Sequence, residues 1–206
     1  MTANTGSRKR LSSEQRQGEI ITAVLELARD FGPEGVTTQA IADRVGVTQG
    51  AVFRHFSNKE AIWLAVFAWV RQALSAIINE ALSQPGSPVE KLERTFLAHV
   101  NFVAHHPGVP RILFHELQNP GDSTLRREVA SVVAGYRKRL AELFKQAKDA
   151  GQLSADLNET VAPIVFIGAV QGLVIQAALL QNNTAMTNNA PAIFAMLLNG
   201  FRGETQ

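Results

Sequence analysis

The chain has 206 residues, 46% of them hydrophobic and 18% charged, with a formal net charge of +2 at pH 7. This length allows one or two globular domains, and the small net charge does not indicate a strongly basic nucleic-acid-binding domain. The absence of cysteine excludes a disulfide framework, a thiolate metal site and a cysteine nucleophile. Because no apolar secretory signal is recognised near the N-terminus, we expect a cytoplasmic protein.

A polar tail with the basic triplet Arg8-Lys9-Arg10 precedes the first predicted helix. The triplet can either follow DNA phosphates or remain disordered, and the sequence favours neither alternative. The first helix is predicted from Ser12 or Ser13 to Phe31, because apolar residues recur there at helical spacing. Its predicted buried face consists of Ile20, Ile21, Val24, Leu25 and Ala28.

Residues 37–56 carry the most informative pattern, two short helices joined by a tight turn. The first helix is capped by Thr37 or Thr38, and Gly46 ends it because glycine adopts a positive φ without steric cost. Thr48 caps the second helix, which has Val52 and Phe56 on its buried side. Its predicted outer face consists of Gln49, Gly50, Phe53 and Arg54. This layout predicts a helix-turn-helix whose second helix enters the major groove of duplex DNA.

Helical periodicity, interrupted by clear breaks, continues through the rest of the chain. A helix is predicted from Asn58 to about Ser83, and a capping box at Ser87 and Glu90 opens another. The helix that this capping box opens is predicted to end at His105, and the next one at Gln118. Three more helices are predicted over about 123–150, 159–181 and 190–201. The breaks between these helices lie at 106–108, 119–122 and 151–156. No alternation typical of strands occurs, so the sequence predicts an all-α fold with about nine helices.

Residues 161–180 form a very apolar segment that is about long enough to cross a bilayer. Pro163, Gln171 and Gln176 argue against a membrane span, as does the lack of flanking basic residues, and a helix that is apolar all round is otherwise buried. Gly168 and Gly172 are four residues apart, which permits close helix packing. With the apolar side chains of the last helix, these glycines form either a subunit interface or the core of the C-terminal half. The predicted interface residues are Gly168, Gly172, Ile193, Phe194 and Leu197.

The region from Ala23 to Ile62 resembles the DNA-binding domain of the TetR (tetracycline repressor-like) family of bacterial regulators. The resemblance rests on about 40 residues in register. It comprises the end of the first helix at 28–32, the segments Gly35-Val36-Thr37-Thr38 and Val45-Gly46-Val47-Thr48, the run from Gly50 to Phe56, and Ser57 to Ile62. The whole series is specific evidence for this family, whereas a lone Gly-Val-Thr turn would be weak evidence.

The resemblance implies roles for individual residues. Gln49, Gly50 and Gln39 match positions that reach base edges. The phosphate-contacting positions match Thr38, Arg54, His55 and Lys59, and the position that caps the second helix matches Thr48. Phe53 departs from the family, which usually has tyrosine there. Phenylalanine keeps the packing of the ring but loses a hydrogen bond to phosphate, worth about 1 kcal/mol.

The resemblance also implies the organisation of the whole chain. Residues 13–72 are expected to form a three-helix DNA-binding domain, and residues 73–206 a domain for effector binding and dimerisation. A homodimer would bind an inverted-repeat operator in double-stranded DNA, and no cofactor is expected. An apolar or amphipathic effector is expected in a pocket lined by Trp63, Phe67, Phe96, Val100, Val103, Phe114, His115, Phe166 and Gln171.

No catalytic or metal-binding constellation is recognised. His115 and Glu116 begin a zinc-protease motif, but the second histidine is replaced by Asn119, so the motif is incomplete. The favoured hypothesis is a dimeric repressor in which the effector changes the spacing of the two recognition helices through the helix that starts at Asn58. Two alternatives stay open: a DNA-binding structural or partner-binding protein without an effector, and an apolar-ligand carrier with a vestigial helix-turn-helix.

Overall fold

The computed structural model describes residues 12–118, 121 and 123–203. Within these residues the chain folds into nine α-helices and one 3₁₀ turn, Pro33–Gly35, without a strand, which confirms the predicted fold class. The helices are α1 (Ser13–Phe31), α2 (Thr38–Val45), α3 (Gln49–Phe53), α4 (Lys59–Ser83), α5 (Pro88–His105), α6 (Gly108–Gln118), α7 (Thr124–Asp149), α8 (Ala162–Leu180) and α9 (Asn183–Arg202). The triplet Arg8-Lys9-Arg10 and positions 119, 120 and 122 of the predicted break lie outside the described residues.

Side-chain caps set most of the helix starts. Ser12 and Ser87 begin α1 and α5 in capping boxes, and the Asn58 side chain accepts a hydrogen bond from the Ala61 N–H at 2.8 Å at the start of α4. These oxygens satisfy N–H groups that have no partner within the helix. The Ser87 backbone and side chain hydrogen-bond to the Glu90 carboxylate and lower the pKa of that group. The predicted starts of these three helices are therefore confirmed.

Two predicted boundaries near the C-terminus are wrong. α9 begins at Asn183 rather than near residue 190, and Pro191 lies inside it. A proline inside a helix costs about 3 kcal/mol, but burial of Met186 and Ala190 stabilises the first half of this helix. α8 begins at Ala162 rather than near residue 159, because the Asn158 side chain binds the N–H groups that follow it in a turn.

The C-terminal helices share one aromatic core, with α5 at its centre, in contact with α4, α7, α8 and α9. Phe96, Phe144 and Phe166 are fully buried. The ring centroids of Phe96 and Phe166 lie 5.1 Å apart, and those of Phe144 and Phe166 lie 6.1 Å apart, both edge to face, an arrangement that aromatic pairs favour. Phe194 packs on Phe96 at 5.6 Å.

Helix α6 connects this core to the N-terminal helices. A Cβ atom added to Gly108 would overlap the carbonyl oxygen of Leu25 in α1, so α6 approaches α1 at a distance that only glycine permits. One turn further along, Nη1 of Arg111 donates a hydrogen bond to the carbonyl oxygen of Arg29 at 2.6 Å. His115 Nδ1 lies 3.2 Å from Glu34 Oε1. α6 is thereby attached to α1 at two points and to the 3₁₀ turn that follows α1 at a third.

Helix α8 has a buried and an exposed apolar side. Phe166, Val170 and Leu173 are buried, whereas Leu179 and Leu180 are 77% and 70% exposed. The expectation that this helix is buried all round is therefore wrong for the single chain. By length and composition α4 and α8 could each cross a membrane, but core helices of soluble proteins pass the same test.

Candidate DNA-binding surface and ligand cavity

The helix-turn-helix forms as predicted around its turn. Gly46 adopts the left-handed conformation, with φ 72° and ψ 42°, and ends α2. Thr37 caps α2 by accepting from the Ala40 N–H at 3.0 Å, and Thr48 caps α3 by accepting from the Ala51 N–H at 3.2 Å. α3 ends at Phe53 rather than Phe56, although Phe56 is buried behind it. The turn and both caps fix the angle between the two helices.

The predicted base-reading side chains lie on the exposed side of the motif and are ordered by hydrogen bonds. Gln49 Nε2 donates to Thr38 Oγ1 at 2.6 Å, which joins the starts of α3 and α2. Gln39 Nε2 donates to Asp43 Oδ1 at 2.8 Å. Gly50 is exposed, and a Cβ atom added to it would meet no other atom within 4 Å. The fold itself therefore does not require glycine at this position.

The predicted phosphate-contacting residues lie around the same surface. His55 Nδ1 is 3.3 Å from Ser13 Oγ, and Lys59 Nζ lies 5.8 Å from the centroid of the Trp63 ring. Arg54 is exposed at the end of α3, and within the described ranges no ion pair is found for Arg54 or Lys59. Phe53 is 44% exposed, so its ring is accessible although it lacks the hydroxyl of the usual tyrosine.

An ion-pair network holds α2 against α1 behind this surface. Arg44 contacts Glu26 at 3.0 Å and Asp30 at 3.2 Å, and Arg29 contacts Asp30 at 2.8 Å. The guanidinium of Arg29, and after it that of Arg44, lowers the pKa of the Asp30 carboxyl. Exposed ion pairs contribute little stability each, so the network chiefly fixes orientation.

A largely apolar cavity lies between α4, α5, α6, α7 and α8. Its volume is about 100 Å³. The cavity is lined by Phe67, Val70, Leu74, His99, Phe102, Val103, Val109, Pro110, Leu113, Phe114, Val129, Val132, Val133, Tyr136, Ile167, Val170, Gln171 and Val174. A concave apolar space with a few polar groups is the usual form of a ligand site.

The structure brings four of the nine predicted pocket residues to this cavity, namely Phe67, Val103, Phe114 and Gln171. The other five lie elsewhere. Phe96, Val100 and Phe166 are fully buried in the core, His115 contacts Glu34, and Trp63 lies beside Lys59. The structure does not bring these five to this cavity, because an apolar side chain in a helical region packs into a core as readily as around a cavity.

Two polar residues of the cavity, His99 and Tyr136, are not among the predicted pocket residues. The Tyr136 hydroxyl lies 3.2 Å from His99 Nδ1, and the two rings are 5.2 Å apart, edge to face. Burial lowers the pKa of His99 to about 4 and raises that of Tyr136, so both are neutral at pH 7. The spacing of Val129, Val132, Val133 and Tyr136 on a helix whose other side is strongly charged was the signal that α7 faces this space.

The predicted dimer interface divides into exposed and buried residues. Gly168 and Gly172 lie on the exposed side of α8, where an added Cβ atom would meet nothing within 4 Å. Ile193 and Leu197 are half-buried on α9. Phe194 is only 3% exposed because it packs inside its own subunit, so its assignment to the interface is wrong. The two glycines lie on the same exposed side of α8 as apolar side chains such as Ile175 and Leu179.

Two family models match the chain. The model described as "Bacterial regulatory proteins, tetR family" matches residues 20–66, and "Tetracyclin repressor-like, C-terminal domain" matches residues 85–175. The first match contains α2, α3 and their turn, and the second contains three of the five helices around the cavity in full. Within residues 12–118, 121 and 123–203, no group of three or more His, Asp or Glu residues could hold a metal ion.

Individual proteins resemble the chain over most of its length. The nucleoid occlusion factor SlmA of Actinobacillus pleuropneumoniae is 26% identical over 138 residues, 66% of this chain and 68% of that protein. The fatty acid degradation regulator FadR from Bacillus halodurans has a similar fold, with a TM-score of 0.79, 21% identity, and coverage of 96% of this chain and 100% of that one. The regulator FadR from Bacillus subtilis, solved with stearoyl-CoA, gives a TM-score of 0.75, 19% identity, and coverage of 89% and 98%.

Proposed function

Because the chain belongs to the TetR family of DNA-binding bacterial regulators, we propose that it is a cytoplasmic, dimeric repressor that a small apolar or amphipathic effector releases from an inverted-repeat operator. Residues 13–72 are assigned to DNA binding, and residues 73–206 to effector binding and dimerisation. The observation that carries the proposal is the position of α6, which both lines the cavity and contacts α1.

The DNA contacts are proposed to come from the exposed side of the helix-turn-helix. Gln39, Gln49 and Gly50 face the bases, with the ring of Phe53 packing beside them. Thr38, Thr48, Arg54, His55 and Lys59 are assigned to the phosphates and to the capping of α3. Lys59 is well placed for a phosphate because it opens α4, where free backbone N–H groups also attract anions.

The effector is proposed to act by widening the cavity. The cavity volume is about 100 Å³, smaller than a cavity of about 150 Å³ that holds benzene, so a larger apolar ligand has to move the surrounding helices or side chains. Movement of α6 reaches α1 through the contacts of Gly108 and Arg111. Movement of α4, whose residue Phe67 also lines the cavity, reaches the DNA-binding surface at Lys59. The effector releases DNA only to the extent that it binds the displaced arrangement more tightly.

A relative with a different function suggests a second candidate function. SlmA of A. pleuropneumoniae is a nucleoid occlusion factor, and this chain could likewise be a DNA-binding structural or partner-binding protein that needs no small-molecule effector. In that case the apolar cavity is a packing defect, and compounds that fill it leave DNA binding unchanged.

Selection of bound duplexes from a random DNA library tests the DNA-binding proposal. We expect an enriched inverted repeat, whose two half-sites lie about one helical turn apart, and affinity that falls steeply with salt because several phosphates are contacted. Weak, salt-sensitive binding without any enriched sequence would contradict the repressor function. Retained operator affinity in the presence of every compound that binds the cavity would favour the second candidate.

A further inference from the structure

A second cavity adjoins the apolar one and differs from it in chemistry. Its volume is about 290 Å³. Its lining includes polar residues of α1, α6, the turn after α8 and the start of α9, namely Arg29, Arg111, Gln181 and Asn183. Two arginines thus line this outer cavity, whose other lining residues are mainly apolar.

The two cavities are neighbours that share four lining residues, Val103, Pro110, Phe114 and Val174. Phe114 is half-buried on α6, and its ring is the largest of the shared side chains. Because it lines both cavities, a change in the orientation of this ring alters the space between them. A single long ligand could then extend from one cavity into the other.

The outer cavity has an excess of positive charge. Arg29 is paired with Asp30, and Arg44 with Asp30 and Glu26, so these four groups balance one another. Arg111 adds a further positive charge, and within the described part of the chain it has no carboxylate partner. Its guanidinium instead donates to the carbonyl oxygen of Arg29 at 2.6 Å, which leaves its other N–H groups available to an anion.

The inner cavity disfavours charged groups and bulky ring systems. Its polar groups, His99, Tyr136 and Gln171, are neutral at pH 7, and an ion transferred into such a space would lose its hydration without compensation. The volume of the inner cavity is only about 100 Å³, which suits a slender alkyl chain better than a fused ring system. A charged group is therefore accommodated only at the outer end.

We propose that the effector is an amphipathic anion, with an alkyl or acyl chain in the inner cavity and a carboxylate or phosphate head group bound by Arg111 and Arg29 in the outer cavity. This inference rests on the proposed function, because it specifies the effector of that same site. The head group binds the residue that holds the end of α1. The anion takes the remaining N–H groups of Arg111, whose Nη1 donates to the Arg29 carbonyl, so ligand binding acts directly at the junction of α6 with the DNA-binding domain.

Calorimetric titration of the full chain with three ligands of equal chain length tests the proposal. Decyl phosphate, decanoate and decanol are used below their critical micelle concentrations, and operator affinity is measured with each. We expect the anions to bind about tenfold more tightly than the alcohol, as one charge-assisted hydrogen bond provides. Comparison of decanoate with decyl phosphate identifies the preferred head group.

Two variants separate the head-group site from general effects. Arg111→Gln should remove the preference for the anions while decanol affinity is retained. Arg139→Gln, which changes an arginine of α7 that binds Asn79 and lines neither cavity, should keep the preference. Equal affinity for all three ligands, a preference that survives Arg111→Gln, or binding of none of them would overturn the inference.

The DNA measurement distinguishes failure of this inference from failure of the proposed function. If decanol releases the operator as well as the anions do, the effector function stands and the head-group site is wrong. If the anions bind through Arg111 but operator affinity does not change, the site stands and the repressor function is wrong.

Discussion

Gly50 lies on the exposed side of α3, where the protein places no atom within 4 Å of an added Cβ. Glycine in a helix costs about 1 kcal/mol relative to alanine, and the fold gains nothing from it at this position. A requirement for glycine must therefore come from something outside the chain. Close approach to the edges of DNA bases is such a requirement.

We expect Gly50→Leu to raise the free energy of unfolding by up to about 1 kcal/mol while reducing operator affinity at least about tenfold, since each lost specific contact costs 1–3 kcal/mol. Urea denaturation and fluorescence anisotropy with the selected operator measure the two effects. Gly135→Leu, at a helical glycine of α7 that is equally uncrowded, should stabilise the fold without changing DNA affinity. Unchanged affinity of the Gly50 variant would remove this residue from the DNA surface.

His99 links the cavity to the pH dependence of stability. Its pKa is about 4 in the folded protein and 6.5 in the reference state, because burial disfavours the charged ring. Between these two values the unfolded chain binds more protons than the folded chain. The free energy of unfolding therefore falls as the pH is lowered from about 6.5 towards 4.

We expect His99→Gln to reduce this fall by about 1–2 kcal/mol, because the neutral amide can still hydrogen-bond to Tyr136 but does not titrate. Urea denaturation at pH 7 and pH 4.5 gives the difference for wild type and variant. Identical pH dependence of wild type and His99→Gln would show that the ring is hydrated in the folded protein.

At the level of elements, α6 depends on the close backbone contact at Gly108. Gly108→Ala should lower the free energy of unfolding by about 1–3 kcal/mol, the usual cost of overpacking, because the methyl group would overlap the Leu25 carbonyl oxygen. Gly135→Ala should instead raise it by about 0.5–1 kcal/mol. Thermal or urea denaturation measures both, and a Gly108 variant as stable as wild type would mean that α6 can slide along α1 without loss.

Elements were predictable from the sequence where the determining contacts are local. The caps at Ser12, Asn58 and Ser87 act within three residues, so the pattern of the chain contains them. The start of α9 depends instead on the burial of Met186 and Ala190 against distant helices. Proline commonly opens a helix, whereas Pro191 lies inside α9, and only tertiary packing reverses that preference.

The cavity was predictable only in part, for the same physical reason. Phe67 and Phe114 line it, whereas Phe96 and Phe166 are core residues. The residue types are alike, and the distinction arises from which helix faces meet tightly and which leave space. Tyr136 lies on α7, a helix rich in charged residues. The helical spacing of its apolar residues was therefore the only indication in the sequence that Tyr136 lines the cavity.

For the whole molecule, the exposed apolar side of α8 is the feature that a single chain does not explain. Leu179 is 77% exposed and lies on the same helix as the exposed Ile164, Val165 and Ile175, and apolar surface of this kind usually marks an interface. We expect Leu179→Glu to weaken the homodimer at least about tenfold, because two buried carboxylates would face each other across a two-fold axis.

Sedimentation equilibrium over a range of protein concentrations measures this change. Leu117→Glu, at an exposed leucine of α6, should leave the dimer intact, and operator affinity should decrease for the Leu179 variant alone. A Leu179 variant that remains dimeric would place the interface on another side of the molecule.

The two close contacts of α6 with α1 have a consequence for exchanging parts between proteins. Both are directed at main-chain oxygens, those of Leu25 and Arg29, which every amino acid supplies in a helix. The contacts therefore do not depend on which side chains α1 carries at these positions. A DNA-reading segment transplanted from another protein would keep them as long as α1 keeps its path, so chimeric regulators with new targets need little redesign at this junction.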